Sequence, residues 1–140
     1  MILNLSYRKK ETDRALLERA GKSFSFFERI KLGGIGSQRF EIIEADAEIS
    51  EILSRDLKLN HCNIELRKGG VLIWFRIKLH NYALVLPYYL LTIFKGPDYL
   101  KVYGGKWSVK LKPAHNASFN TKFILKLMEQ KNLNLSNQVI

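Results

Sequence analysis

His61 and Cys62 stand side by side, and a thiol next to an imidazole is the pair from which a nucleophilic catalyst is built. The segment around them alternates apolar and polar residues. It therefore reads as a strand, and neighbours on a strand point to opposite faces. Cys62 shares parity with Ile64 and Leu66 and is expected inside, with His61 outside. His80 and His115 fall in expected turns, and no two histidines are four residues apart. A metal needs three or four converging ligands, so no metal site is assigned. Gly33-Gly34-Ile35-Gly36-Ser37 has the composition of a phosphate loop. It lacks the Lys of a Walker loop, and Arg39 stands where a dinucleotide fingerprint needs its last Gly. The acidic run Glu41, Glu44, Asp46, Glu48 and Glu51 could furnish a carboxylate pair for acid–base work. On a helix, Glu44, Glu48 and Glu51 would instead line one solvated face. Nucleophile, base and electrophilic donor converge nowhere in this pattern, so the expectation is a protein that is not an enzyme and needs no cofactor.

Residues suited to binding are more plentiful. Trp74, Arg76 and Lys78 alternate on the strand face opposite Val71, Ile73 and Phe75. With the strand phases read below, Tyr99, Lys101, Tyr103, Lys110 and Lys112 share that polar parity. Cations hold phosphates and aromatic rings stack on bases, so a nucleic acid or another polyanion is one expected partner. The plainer alternative is a solubilising face whose Leu72 and Trp74 are covered by an N-terminal helix. A second set, Tyr82, Tyr88, Tyr89 and Leu90, surrounds Pro87, where a sheet edge or corner is expected. Exposed aromatics there would suit a protein partner or a second copy of the chain. The expected function is an interaction module for a protein or for itself, with polyanion binding as the alternative.

The elements that must position these residues belong to one 140-residue domain with 46% hydrophobic residues. Lys and Arg number 23 against 13 Asp and Glu, a net charge of +10. Charge is uneven: residues 1–31 carry net +4, residues 32–65 net −4 and residues 66–140 net +10. Cys62 is the single cysteine, so no intrachain disulfide forms, and a reducing cytoplasm is the simplest setting. The first ten residues place their charges after a short apolar stretch, opposite to a secretory signal. The longest apolar stretch, Tyr82 to Phe94, is interrupted by Pro87 and is too short for the ~20 residues of a membrane span.

Residues 1–60 read as a mixed, largely helical part. Thr12 or Asp13 can cap a helix carrying Ala15, Leu16, Leu17 and Ala20, with Gly21 as its stop. Phe24, Phe26, Phe27 and Ile30 follow in a piece of ambiguous type. Phe40–Glu44 reads as a short strand, and Asp46 to Arg55 as a helix capped by Asp46. From residue 61 the period becomes 2. Lys68-Gly69-Gly70 is a hairpin turn, and Val71 to Leu79 alternates throughout. Strands then follow at Tyr82–Leu86, Tyr88–Lys95, Tyr99–Tyr103 and Lys106–Lys112, separated by turns. A helix to Lys131 puts Phe119, Phe123, Ile124 and Leu127 on one side, and residues 132–140 read as a fraying polar tail. The fold class is α+β: a bent antiparallel sheet or small barrel, a C-terminal capping helix and a helical N-terminal segment.

The stretch from Cys62-Asn-Ile-Glu-Leu-Arg-Lys-Gly-Gly-Val to Tyr82-Ala-Leu-Val-Leu-Pro-Tyr-Tyr-Leu-Leu-Thr-Ile-Phe-Lys-Gly96 is a hairpin followed by an apolar strand and a Pro break. With the later strands and helix, residues 61–131 resemble the pleckstrin-homology superfold, in particular GRAM-type and small bacterial PH-like domains of unknown function. The resemblance implies a bent sheet capped by a helix and names no activity. The Lys/Arg-x-Arg pattern of phosphoinositide-binding members is absent at Lys68-Gly69-Gly70.

Overall fold

The computed structural model describes residues 1–6, 9–56 and 60–138. Its elements, in chain order, are β1 (Ile2–Asn4), α1 (Lys10–Ala20), α2 (Phe26–Leu32), β2 (Phe40–Ala45), α3 (Ala47–Leu53) and β3 (His61–Leu66). They continue with β4 (Gly70–Ile77), β5 (His80–Pro87), β6 (Leu91–Lys95), β7 (Leu100–Gly104), β8 (Trp107–Pro113) and α4 (Thr121–Gln138). The strands form one antiparallel sheet in the order β1-β5-β4-β3-β2-β8-β7-β6, with β1 and β6 as open edges. The α+β class, the bent sheet and the capping helix are as the sequence predicts, and the sheet is not a closed barrel.

Curvature follows from one short connection. β5 is second and β6 last of the eight strands. Laid flat at ~4.8 Å per strand they would be roughly 29 Å apart. Only Tyr88 to Leu90 join them, and so short a link reaches at most about 14 Å. The sheet must curl until those strand ends meet. Two backbone approaches lock the curl. Gly70 pairs with Pro87 so closely that an added Cβ would lie 2.5 Å from the Leu86 carbonyl oxygen. Gly21, at φ +73°, ends α1 against the β3–β4 turn, where Gly69 N–H donates to the Ala20 carbonyl at 2.9 Å.

Each face of the sheet has its own apolar cover. The inner face collects Cys62, Ile64, Leu66, Val71, Ile73, Phe75, Ile77, Leu84 and Leu86 beneath Phe123 and Leu127 of α4 and Ile49, Ile52 and Leu53 of α3. On the outer face Leu16 and Ala20 of α1 pack with Leu72, Ala83 and Val85, and Trp74 lies half-buried beside them. Leu72 and Trp74 thus lie in the apolar cluster that α1 builds on this face.

Several expectations need correction. Residues 1–60 contribute two strands as well as three helices, so the sheet does not begin at residue 61. α1 starts at Lys10, not after a Thr12 or Asp13 cap: the Thr12 hydroxyl accepts the Lys9 N–H at 3.0 Å from inside the helix. Tyr88–Leu90 form a turn, and the strand begins at Leu91. Leu79 leaves the alternating face because Lys78, at φ +56°, turns the chain, and Leu79 stands exposed. Ile124 is only half-buried. Asn120 caps α4 through its side-chain oxygen and the Phe123 N–H, and the helix continues to Gln138 rather than fraying after Lys131. Val139 and Ile140 lie outside the described residues.

Candidate binding surfaces

Tyr103, Lys101, Lys110 and Lys112 do share the outer face of β7 and β8, where Lys101 stands directly opposite Lys110. Like charges in that relation repel, and the surroundings compensate them. The Lys110 ammonium sits 4.5 Å from the centre of the Tyr99 ring, and Lys101 5.1 Å from that of Tyr103. Hydrogen bonding to Tyr103 is the main cause that pushes the Lys101 pKa up. Glu44 is in register with Lys110, and Glu41 pairs with Lys112 at 3.5 Å. Lys112 is thus paired with a carboxylate, and Lys101 and Lys110 lean on tyrosine rings.

Trp74, Arg76 and Lys78 are not part of that patch. They lie on and just beyond β4, and β3 and β2 intervene before β8. Arg76 and Lys78 instead join Arg39, Asp56 and His61 along an open groove of about 550 Å³, with Trp74 at its wall. Arg76 donates through Nε to the Lys78 carbonyl at 3.1 Å, and Asp56 accepts the Lys78 N–H at 3.3 Å. The eight residues expected to form one basic–aromatic face are thus divided between two places.

The catalytic candidates separate as well. His61 is half-exposed on the outer face and meets the His115 ring at 5.4 Å. Cys62 is buried on the inner face, and desolvation pushes its thiol up to about 12. Glu44 belongs to β2, not to a helix with Glu48 and Glu51; those two pair with Lys106 at 3.3 Å and Arg55 at 2.8 Å. Among the described residues no three His, Cys, Asp or Glu side chains come together as metal ligands. The Gly33–Gly34 turn presents carbonyls to the Lys126 ammonium, at 3.3 and 3.2 Å. That polarity is opposite to a phosphate cradle, which presents N–H groups.

The corner at Pro87 also differs from expectation. Tyr88 is fully buried, so it is not an interface residue; its hydroxyl donates to the Arg67 carbonyl at 2.7 Å. Tyr82 is half-buried and stacks on Phe75 at 5.4 Å. Only Tyr89 and Leu90 of the four project into solvent. A three-residue corner has to be tied down, and the largest fully buried side chain among the described residues does that task.

A more prominent apolar surface lies on α2. The helix buries none of its own residues. Phe26, Phe27 and Ile30 are 72%, 81% and 62% exposed. The helix is held instead at its ends. Phe24, just before it, is buried in the inner core, and Leu32, at its last turn, is half-buried against that core. Ser25 and Glu28 form a reciprocal capping box, and Lys126 binds the carbonyls after its C-terminus. At 100° per residue, Glu28 and Leu32 share one side, and Phe26, Ile30 and Phe27 span the opposite one. Arg29 and Lys31 flank that apolar arc, one on each border. The Ser25-x-x-Glu28 signature was the available sequence signal: once the segment is helical, its phase puts these aromatics outside.

No family model, curated protein or solved structure matches the chain.

Proposed function

We propose that the protein is a non-enzymatic docking domain of PH-like architecture, whose contact surface is α2 and whose partner presents an apolar layer behind negative charge. The strand order supports the PH-like part. β2 to β5 and β6 to β8 are two antiparallel meanders, joined where β2 pairs with β8 and covered by the C-terminal helix. The Cys62 thiol, buried on the sheet face opposite to His61, supports a role without chemistry. One observation carries the docking role: three large apolar side chains stand in solvent on a preformed helix none of whose residues is fully buried. Water opposes such exposure, and a helix already capped and anchored loses little further entropy when its outer side is covered. A second copy of the chain fits poorly there. Facing patches would bring Arg29 and Lys31 of each copy together, and the chain is +10 overall.

Photo-crosslinking in cells tests this reading. Benzoylphenylalanine in place of Phe27 is expected to capture a partner, whereas the same residue in place of exposed Phe94 on the edge strand β6 is not. No adduct, to protein or to lipid, at position 27 above that at position 94 would overturn the proposal.

A further inference from the structure

We infer that the surface α2 docks on is the anionic face of a lipid bilayer, into which Phe26, Phe27 and Ile30 insert. The inference rests on the docking role proposed above and names its partner. Shape comes first. The three side chains project from the outer arc of a helix, a convex ridge rather than a groove. Roughly two-thirds of ~200 Å² for each gives about 400 Å², half of the ~800 Å² that a standard protein interface buries per partner. A bilayer interface needs no matching concavity and accepts an apolar helix side to a depth of ~5–10 Å.

Charge points the same way. Arg29 and Lys31 border the apolar arc, with Lys22 just before the helix and Lys126 at its C-terminal turn. Lys31 can lay its aliphatic stem along the acyl boundary while its cationic head reaches lipid phosphates, and Arg29, whose Nε donates to the Phe24 carbonyl at 3.1 Å, keeps its two terminal nitrogens for the same contact. The one carboxylate of α2, Glu28, lies on the side away from the arc and is engaged at 3.2 Å by Lys68. No described helix is long and apolar enough to cross a membrane, so attachment through α2 is peripheral.

Vesicle flotation of the full chain tests the inference, using phosphatidylcholine alone and phosphatidylcholine with ~30% phosphatidylglycerol. Binding is expected only with the anionic lipid. Arg29→Gln/Lys31→Gln should weaken it about 25-fold, at roughly fivefold per juxtamembrane cation. Phe26→Ser/Phe27→Ser/Ile30→Ser should abolish it while circular dichroism stays unchanged, because all three side chains are already in solvent. Equal flotation of the triple-Ser variant would show general adsorption of a basic protein and overturn insertion. No flotation of wild type, together with a protein adduct at position 27, would overturn the lipid partner and leave the docking role standing. No flotation and no adduct would end both.

Discussion

Tyr88→Phe removes one oxygen atom from a side chain with no exposed surface. The lost hydrogen bond, 2.7 Å to the Arg67 carbonyl, joins the β5–β6 corner to the β3–β4 hairpin. A second bond, Gly69 carbonyl to Tyr88 N–H at 3.0 Å, remains in the variant. One net hydrogen bond and a partly buried carbonyl left without its partner cost about 1–2 kcal/mol together. Tyr88→Ala also empties the ring's site, adding ~3–5 kcal/mol. Exposed Tyr89→Ala, one residue on, should stay within about 0.5 kcal/mol of wild type. In urea, with a slope near 2 kcal/mol/M, Tyr88→Phe should lower the midpoint by roughly 0.5–1 M. Tyr88→Ala should lower it by more than ~2 M or leave the chain unfolded, and Tyr89→Ala should hardly move it. An unchanged midpoint for Tyr88→Phe, or an equal loss for Tyr89→Ala, would refute the claim that Tyr88 secures the curl of the sheet.

Phe123→Ala, beneath which the inner sheet face closes, should cost about 3–5 kcal/mol, against less than ~0.5 for exposed Leu125→Ala on the same helix; similar losses in denaturant melts would place α4 wrongly. Burial holds the Cys62 thiol protonated up to about 12, above its ordinary 9. Between those values the unfolded chain gives up a proton that the folded chain keeps, so this contribution is intact below pH ~9 and falls as pH rises through the window. The midpoint difference between wild type and Cys62→Ala should shrink from pH 8 to pH 10.5, while buried Tyr88, common to both, cancels. A constant difference, or native-state labelling of Cys62 at the rate of a free thiol, would contradict that burial.

The inner sheet face was legible because parity is local. Ile64 and Leu66, like Val71, Ile73 and Phe75, are spaced by two, and any strand through them sends all of them to one side. The glycine turns, the Asp46 cap and the helical period of Phe123 and Leu127 are likewise short-range properties of backbone geometry. The binding candidates were grouped by the same parity, and there it ran out. Trp74 and Lys110 share a face of one sheet, but two strands and a strong curl separate them, and neither the pairing order nor the curl is a short-range property. Tyr88 looked like surface because Pro87 beside it resembles an edge; its burial depends on the β3–β4 hairpin, some twenty residues away, offering a carbonyl to its hydroxyl. The Phe-rich segment stayed ambiguous for a related reason. Four apolar residues in seven imply burial, yet Phe24 and Leu32 already anchor the segment and leave the inner core no place for Phe26, Phe27 or Ile30. Local spacing determined which side of each element is apolar. Only the assembled fold decided which apolar sides find cover within the chain, because cover comes from elements distant in sequence that compete for the same finite core.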